Sequence, residues 1–336
     1  MILFGKDLDR EVAIVAEVGV NHEGDVEAAS RMLRLAAEAG ADAVKLQTYT
    51  PDRFASASDP ERLERVGRFC LDATAHRRLA AEAQALGVPL FSSAITEDVV
   101  PLLDELFPAI KIASGDVDFE PVIRAAARTG KPLIVSTGIA TAEECDRVVD
   151  WVRDEVGAEA LRDRLILTHC VSAYPTPIEE ANVRSVPFLA EHTGLRVGYS
   201  NHVGEPEACY AAVALGACLV EVHFTDQKTG RTFRDHALSM EPDDLRALIA
   251  SVGRIRASLG SYDKHRMPSE TGNLLAIRKG VVASRDLAIG TVLAADDLMY
   301  ARPGSEFPAA DLPRLIGRKL TQALRRGETV PRSGVA

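Results

Sequence analysis

Two histidines, two lysines, two glutamates and a set of serines stand at or near the ends of short apolar runs in this chain. Each type suggests one part of a single chemistry. His202 (LRVGYSNH) and His223 (LVEVHF) close consecutive runs. Two imidazoles on adjacent strand ends can hold one divalent cation, with positions left open for water or substrate; the alternative is a pair of hydrogen-bonded core histidines. Lys45 (DAVKLQT) and Lys111 (AIKIAS) lie inside runs that read as buried, where an ammonium is costly unless an anion meets it. With Ser93, Ser114, Ser136 and Ser200 on nearby ends they form a donor-rich bowl. Such a bowl suits a phosphate plus a carboxylate better than a single Schiff-base lysine. Glu17 (AIVAEVG) and Glu221 can move protons or pair with those lysines. Glu221 and His223 are two apart and therefore point the same way on a strand. Cys170 also ends a run, as a small buried hydrophobe or facing the site.

The elements that must carry these side chains are eight near-continuous apolar runs: AIVAEVG, DAVKLQT, VPLFSS, AIKIAS, PLIVST, LILTHC, LRVGYSNH and LVEVHF. Runs of this kind are strands of a parallel sheet covered on both faces. Helical patterns separate them. DVEAASRMLRLAAEAG is the clearest, with Asp25 to cap its start and Gly40 its end. Polar groups spread over all the strand ends favour a (β/α)8 TIM barrel, with its site at the C-terminal face. A doubly wound sheet would concentrate them at one switch point, and there is no GxGxxG after the first strand. The barrel is expected over residues 1–260, ending in a helix at 240–260. A polar linker follows at 261–275, then a small β-rich domain at 276–336.

Composition sets outer bounds. A net charge of -10 argues against a general nucleic-acid binder or a basic membrane-surface protein. No basic, then apolar leader opens the sequence, and no apolar run is long enough for a membrane span. The five cysteines include no CxxC pair, so free thiols in a reducing, cytoplasmic compartment are expected.

The blocks AEVGVNHEGD, GADAVKLQT, KIASGD, KPLIVSTGIAT, THCVSAYPTP, VGYSNHVG, ALGACLVEVHFT and DHALSMEPDDL resemble the sialic acid (nonulosonate) synthases. The tail, ASRDLAIGTVLAADDLMYARPG with LIGRKLTQALRRGETV, is similar to that family's antifreeze-like (SAF) domain. The resemblance implies condensation of phosphoenolpyruvate with an N-acylated hexosamine aldehyde to give a nonulosonic acid and phosphate, with Mn2+ or Mg2+ as cofactor. It assigns the metal to His202 and His223. Phosphoenolpyruvate goes to Lys45, Ser93, Lys111, Ser114, Ser136, Ser172 and Ser200, and the sugar to Glu17, Gln47, Tyr174 and Asp235. Arg302 of the tail would reach the sugar in a partner subunit, so a domain-swapped homodimer is expected, with Glu17 or Glu221 moving protons.

The sequence departs from the family pattern on the sugar side. The segment after the second strand, TPDRFASASDPERLERVGRF, is short and shows no counterpart to the family's sugar-contacting loop. KIASGD has Asp116 where the family has a glutamate, GYSNH has Asn201 where it has an aspartate, and Ala276 replaces an aromatic. One rival is another phosphoenolpyruvate-condensing synthase acting on an aldose phosphate. It would need an extra basic patch at the mouth, for which Arg53 is the one visible candidate. A more distant rival is a non-catalytic carbohydrate- or ice-binding protein using the tail.

Overall fold

A computed structural model describes residues 1–336. The chain divides into two compact units, Met1–Gly260 and Ser261–Ala336. In the first, eight parallel strands form a closed barrel. They are β1 (Ala13–Gly19), β2 (Ala43–Thr48), β3 (Leu90–Ala94), β4 (Ile110–Ile112), β5 (Leu133–Ser136), β6 (Leu165–His169), β7 (Arg196–Asn201) and β8 (Leu219–His223). Each strand pairs with the next in the chain, and β8 closes the ring on β1. The strands match the eight apolar runs because both of their faces are covered, one by the barrel interior and one by helices. Every residue of β1, β3, β5, β6 and β8 is buried.

Register places the polar residues side by side. Glu17 is opposite His223 on one side and Lys45 on the other; Gln47 is opposite Ser93, Ser93 opposite Lys111, and Glu221 opposite Ser200. With a side-chain period of two, residues paired in this way share a face.

Helix α1 (Val26–Ala39) follows β1. Asp25 caps it by accepting the Glu27 N–H, and Gly40 ends it. Between β2 and the next barrel helix, α3 (Ala73–Leu86), stands an extra helix, α2 (Pro60–Phe69), preceded by a helical turn at Pro51–Phe54. A separate apolar cluster of Tyr49, Ala55, Val66 and Ile95, with Phe54 and Leu63 against it, holds α2. Tyr49 Oη donates to the Val66 carbonyl (3.1 Å), and the Phe69 ring meets Phe233 edge-on at 5.2 Å. Gly24 (φ +87°) lies so close to α2 that a Cβ there would stand 2.1 Å from the Arg68 carbonyl oxygen, so this approach requires glycine. The last barrel helix is Pro242–Leu259.

The second unit has its own core, including Val281, Leu287, Leu293, Leu315, Leu320 and Val330. Its strands Gly280–Ala283 and Leu298–Ala301 pair antiparallel. The stretch read as a linker, 261–275, carries a helical turn at Pro268–Thr271, started by a proline at its first position, and another begins at Leu274. All five cysteines are free. No helix is long and apolar enough to cross a membrane.

Candidate active site

A cavity of about 990 Å3 opens at the C-terminal ends of the barrel strands. Glu17, Lys45, Gln47, Lys111, Ser114, Ser136, Ser172, Tyr174, Ser200, His202, Glu221, His223 and Asp235 all line it. Two residues assigned to phosphoenolpyruvate or the sugar do not. Ser93 is fully buried inside the barrel, where it accepts a hydrogen bond from Lys45 Nζ (3.0 Å). It positions the lysine instead of facing the cavity. Arg302 belongs to the second unit, where its Nε donates to the Ile277 carbonyl.

The floor is a buried charge cluster. Glu221 lies between the two lysines, with Oε2 3.0 Å from Lys111 Nζ and Oε1 3.5 Å from Lys45 Nζ. Ser200 Oγ donates to the same carboxylate (3.0 Å). Glu17 Oε2 is 3.0 Å from Lys45 Nζ, and Gln47 Nε2 donates to Glu17 Oε1 (3.1 Å). These are among the most buried charged side chains in the protein: Lys111 is 1% exposed, Glu17 2%, Lys45 3% and Glu221 5%. The two glutamates therefore part company. Burial works against the Glu221 carboxylate, but Lys111 and Lys45 overcome it and hold its pKa well below the ordinary range. Burial also opposes ionisation of Glu17. Lys45 and the Gln47 hydrogen bond favour its charge, but burial and repulsion from Glu221 outweigh them, so its pKa is raised. The lysines diverge as well. Burial lowers both, yet Glu17 and Glu221 together carry Lys45 above its usual value, whereas for Lys111 burial and repulsion from Lys45 outweigh Glu221, its one carboxylate partner, and it stays depressed.

The histidine rings lie beside this floor, with centroids 5.4 Å apart. Burial, with mutual repulsion, lowers His202 to about 3; burial also lowers His223. Both rings are thus neutral, the form that ligates a metal. His202 Nδ1 donates to the Val171 carbonyl (2.6 Å), which leaves the Nε2 lone pair free, as a carbonyl partner behind a ligating imidazole does. The donor set fits a divalent cation held by two nitrogens, with its remaining positions filled by water or substrate. No group of three or more His, Cys, Asp or Glu side chains gathers to make a fuller cage. Asn201 has no room for such a part. Its Oδ1 accepts from Tyr199 Oη and the Val203 N–H, and its Nδ2 donates to the Val203 carbonyl. It shapes the turn that presents His202.

On the opposite wall, Ser114, Ser172 and Cys170 converge on Gly138. A Cβ there would lie 2.3 Å from Ser172 Oγ, 2.7 Å from Ser114 Oγ and 3.0 Å from Cys170 Sγ. Ser172 Oγ is buried with no hydrogen-bond partner, an orphaned donor aimed at a ligand position. Cys170 itself is buried behind the wall, bonded to Ser114 Oγ (3.1 Å), and burial raises its thiol.

Two further sequence expectations are corrected. His22 and His236 stay out of the cavity: both are buried, His22 accepting the Gly24 N–H and His236 bonded to Thr225 Oγ1. Arg53 is not a mouth residue: it pairs with Glu97 and Asp98 outside the cavity. The short segment after β2 does contribute to the wall, through Phe54, Asp59, Arg62, Arg65, Val66 and Phe69. Asp116 faces the same rim. Burial, with repulsion from Asp118 and against the pull of Arg62, pushes its carboxyl up to about 7. A polar stretch such as DPERLERVGRF reads as a solvated helix. Only its anchors, Phe69 on Phe233 and Gly24 beneath Arg68, turn it toward the barrel mouth.

Residues 32–264 match the NeuB family and residues 278–336 the SAF domain. The chain is 32% identical over 335 residues to the N,N'-diacetyllegionaminic acid synthase of Campylobacter jejuni, covering 96% of this chain and 99% of that one. It is 31% identical over 339 residues to a pseudaminic acid synthase of the same species, covering 97% of each. Among solved structures it is similar to the N-acetylneuraminic acid synthetase of Leptospira borgpetersenii in complex with citrate, with a TM-score of 0.74 and 31% identity over 78% of this chain and 90% of that chain. The barrel and the tail agree with those matches, and the chain belongs to the NeuB family, the phosphoenolpyruvate-dependent transferases that form nonulosonic, sialic-type acids.

Proposed function

We propose that the cavity condenses phosphoenolpyruvate with the open-chain aldehyde of an N-acylated hexosamine, either N-acetylmannosamine or a diamino-trideoxy hexose, and releases phosphate. The observation that carries this reading is the pair of buried ammonium groups, Lys45 and Lys111, facing one cavity beside hydroxyl donors. A small molecule with an anion at each end matches that pattern.

In this reading Lys45 and Lys111 neutralise the phosphate and carboxylate of phosphoenolpyruvate. Ser114, Ser136, Ser172 and Ser200 complete its hydrogen bonds, and Ser93 holds Lys45 in place. His202 and His223 hold Mn2+ or Mg2+, which when bound supplies Lewis-acid polarisation of the sugar aldehyde. Gln47, Tyr174 and Asp235 orient the sugar. Glu17, whose pKa burial raises to about 7, gives its proton to the aldehyde oxygen as C3 of phosphoenolpyruvate bonds to the aldehyde carbon. Water then adds at C2 and returns a proton to Glu17. The C2–O bond to phosphorus breaks, and the C2 hydroxyl proton leaves with the phosphate. Glu221 stays ionised between the lysines and acts as their counter-charge, which supports Glu17 as the proton carrier. Arg302 of a second copy reaches the sugar in a domain-swapped homodimer; the support for this part is the resemblance of the tail to the family's domain and the match of residues 278–336 to it.

The test is phosphate release from phosphoenolpyruvate over a panel of aldoses, with Mn2+ and after exhaustive chelation. Release with N-acylated hexosamines that stops on chelation is expected, and full activity without metal would refute the two-histidine assignment. In parallel, Mn2+ binding followed by electron paramagnetic resonance should be lost in His223→Ala. Equal binding would make His223 structural.

A further inference from the structure

Five cationic side chains line the cavity: Lys45, Arg62, Arg65, Lys111 and Arg234. Lys45, Lys111 and Arg234 each have a carboxylate within 4.0 Å, whereas Arg62 and Arg65 have none. In a chain of net charge -10, these two are the cavity-lining cations left without a carboxylate partner. They lie three apart on α2, so they share a face. Both are exposed, at the opposite end of the cavity's depth from the buried lysine floor.

Their placement is fixed. The apolar cluster, the Phe69–Phe233 contact and the close approach of Gly24 hold α2 against the barrel mouth. Asp59 caps α2 by accepting the Arg62 N–H (3.1 Å), so that carboxylate is committed to the backbone. The Arg62 guanidinium stacks over the Phe54 ring at 5.3 Å. Stacking holds a guanidinium in plane and leaves its edge N–H donors available for a bidentate anion. Asp116, the other acid on this rim, is held toward its neutral form and so opposes an anion weakly.

We propose that Arg62 and Arg65 form an anion subsite for the acceptor, which therefore carries a phosphate monoester on the carbon farthest from its aldehyde. This rests on the reading of the cavity as a hexosamine-aldehyde site and puts a phosphorylated hexosamine in place of the two unphosphorylated acceptors. The aldehyde has to reach the buried histidine pair, so the far end of an extended hexose points to the rim. A hexosamine 6-phosphate places its phosphate at that end. A diamino-trideoxy hexose carries a methyl group there and has nothing for the arginines to hold. The product is then a nonulosonate phosphate, and a phosphatase-type reaction must follow to release the free acid.

The experiment compares kcat/KM for N-acetylmannosamine 6-phosphate and N-acetylmannosamine in the full-length enzyme with phosphoenolpyruvate and Mn2+. The phosphorylated sugar is expected to be preferred. In the Arg62→Ala/Arg65→Ala double variant the ratio should fall by about tenfold or more, the scale of one lost charged hydrogen bond. Arg68→Ala, on the same helix but outside the cavity, should keep the wild-type ratio. A wild-type ratio at or below one, or a ratio unaltered in the double variant, overturns the proposal. Isothermal titration of the same two sugars onto the phosphoenolpyruvate-loaded protein reads the same preference without turnover. Absence of turnover with both sugars would therefore count against the condensation reading, while equal binding of both would count against the arginine subsite.

Discussion

Glu221→Gln isolates the charge that keeps two buried lysines in the barrel. Glutamine preserves shape and can still accept the Ser200 hydrogen bond, but it removes the negative charge 3.0 Å from Lys111 and 3.5 Å from Lys45. At an effective dielectric of about 20, each of those pairs is a gross attraction of about 5 kcal/mol. Desolvation cancels much of it, and breaking a buried pair by removing one partner typically costs about 3–5 kcal/mol. At roughly 2 °C per kcal/mol for a domain of this size, the variant should melt about 6–10 °C below wild type. Phosphoenolpyruvate should recover part of that loss, because its anions pair with the orphaned ammonium groups and binding to the folded state adds stability. The assay is urea and thermal unfolding of both proteins, with and without phosphoenolpyruvate. The contribution of Glu221 is fully present above the unfolded carboxylate pKa of about 4.3 and is lost only as pH falls through its depressed folded value. Measured in a Glu17→Gln background, which removes the neighbouring carboxylate that Glu221 repels, the stability gap should therefore persist unchanged from pH 8 to pH 5.5. A variant within about 0.5 kcal/mol of wild type, the range of ordinary surface changes, would refute the counter-charge role.

Glu17 gives the opposite pH signature. Its folded pKa is raised, so its contribution is fully present below the unfolded value and is lost as pH rises toward the folded one. Glu17→Gln should abolish turnover, and its stability relative to wild type should improve between pH 5 and pH 8; a gap that stays flat across that window would mean Glu17 is ionised in the folded chain. Gly138→Ala drives a methyl group into Ser172 Oγ and Ser114 Oγ. The expected result is a rise in KM for phosphoenolpyruvate of about tenfold or more with native circular dichroism. An unchanged KM would remove those serines from the substrate.

The barrel and most of its wall were legible because burial leaves a one-dimensional trace. A strand covered on both faces admits few polar residues, so Glu17, Lys45, Lys111 and Glu221 stand out against Val, Ile and Ala in the sequence itself. What was not legible depends on contacts remote in the chain. Ser93 looks like any other strand-end serine, and only the cross-strand bond from Lys45 shows that it supports the wall. Arg62 and Arg65 sit in a stretch whose charge pattern is that of a solvated helix, and a contact to Phe233 far along the chain turns that helix to the mouth. Gly138 matters through the side chains of residues 114, 170 and 172, which no local pattern could place around it.

The last strand pairing has a consequence for how this enzyme comes into being. β8 pairs with β1 through five consecutive residues, and the fifth sets His223 beside Glu17, while Glu221 on the same strand completes the lysine cluster. An open half-ring holds His202 without its partner and two lysines without their counter-charge. Ring closure and the appearance of catalytic competence are therefore one event. Long-range closure of this kind is paid late in folding, after local helices and neighbouring strands have formed. Phosphoenolpyruvate present during refolding should therefore act on that final step, by trapping closed rings as they form, and leave the earlier steps untouched.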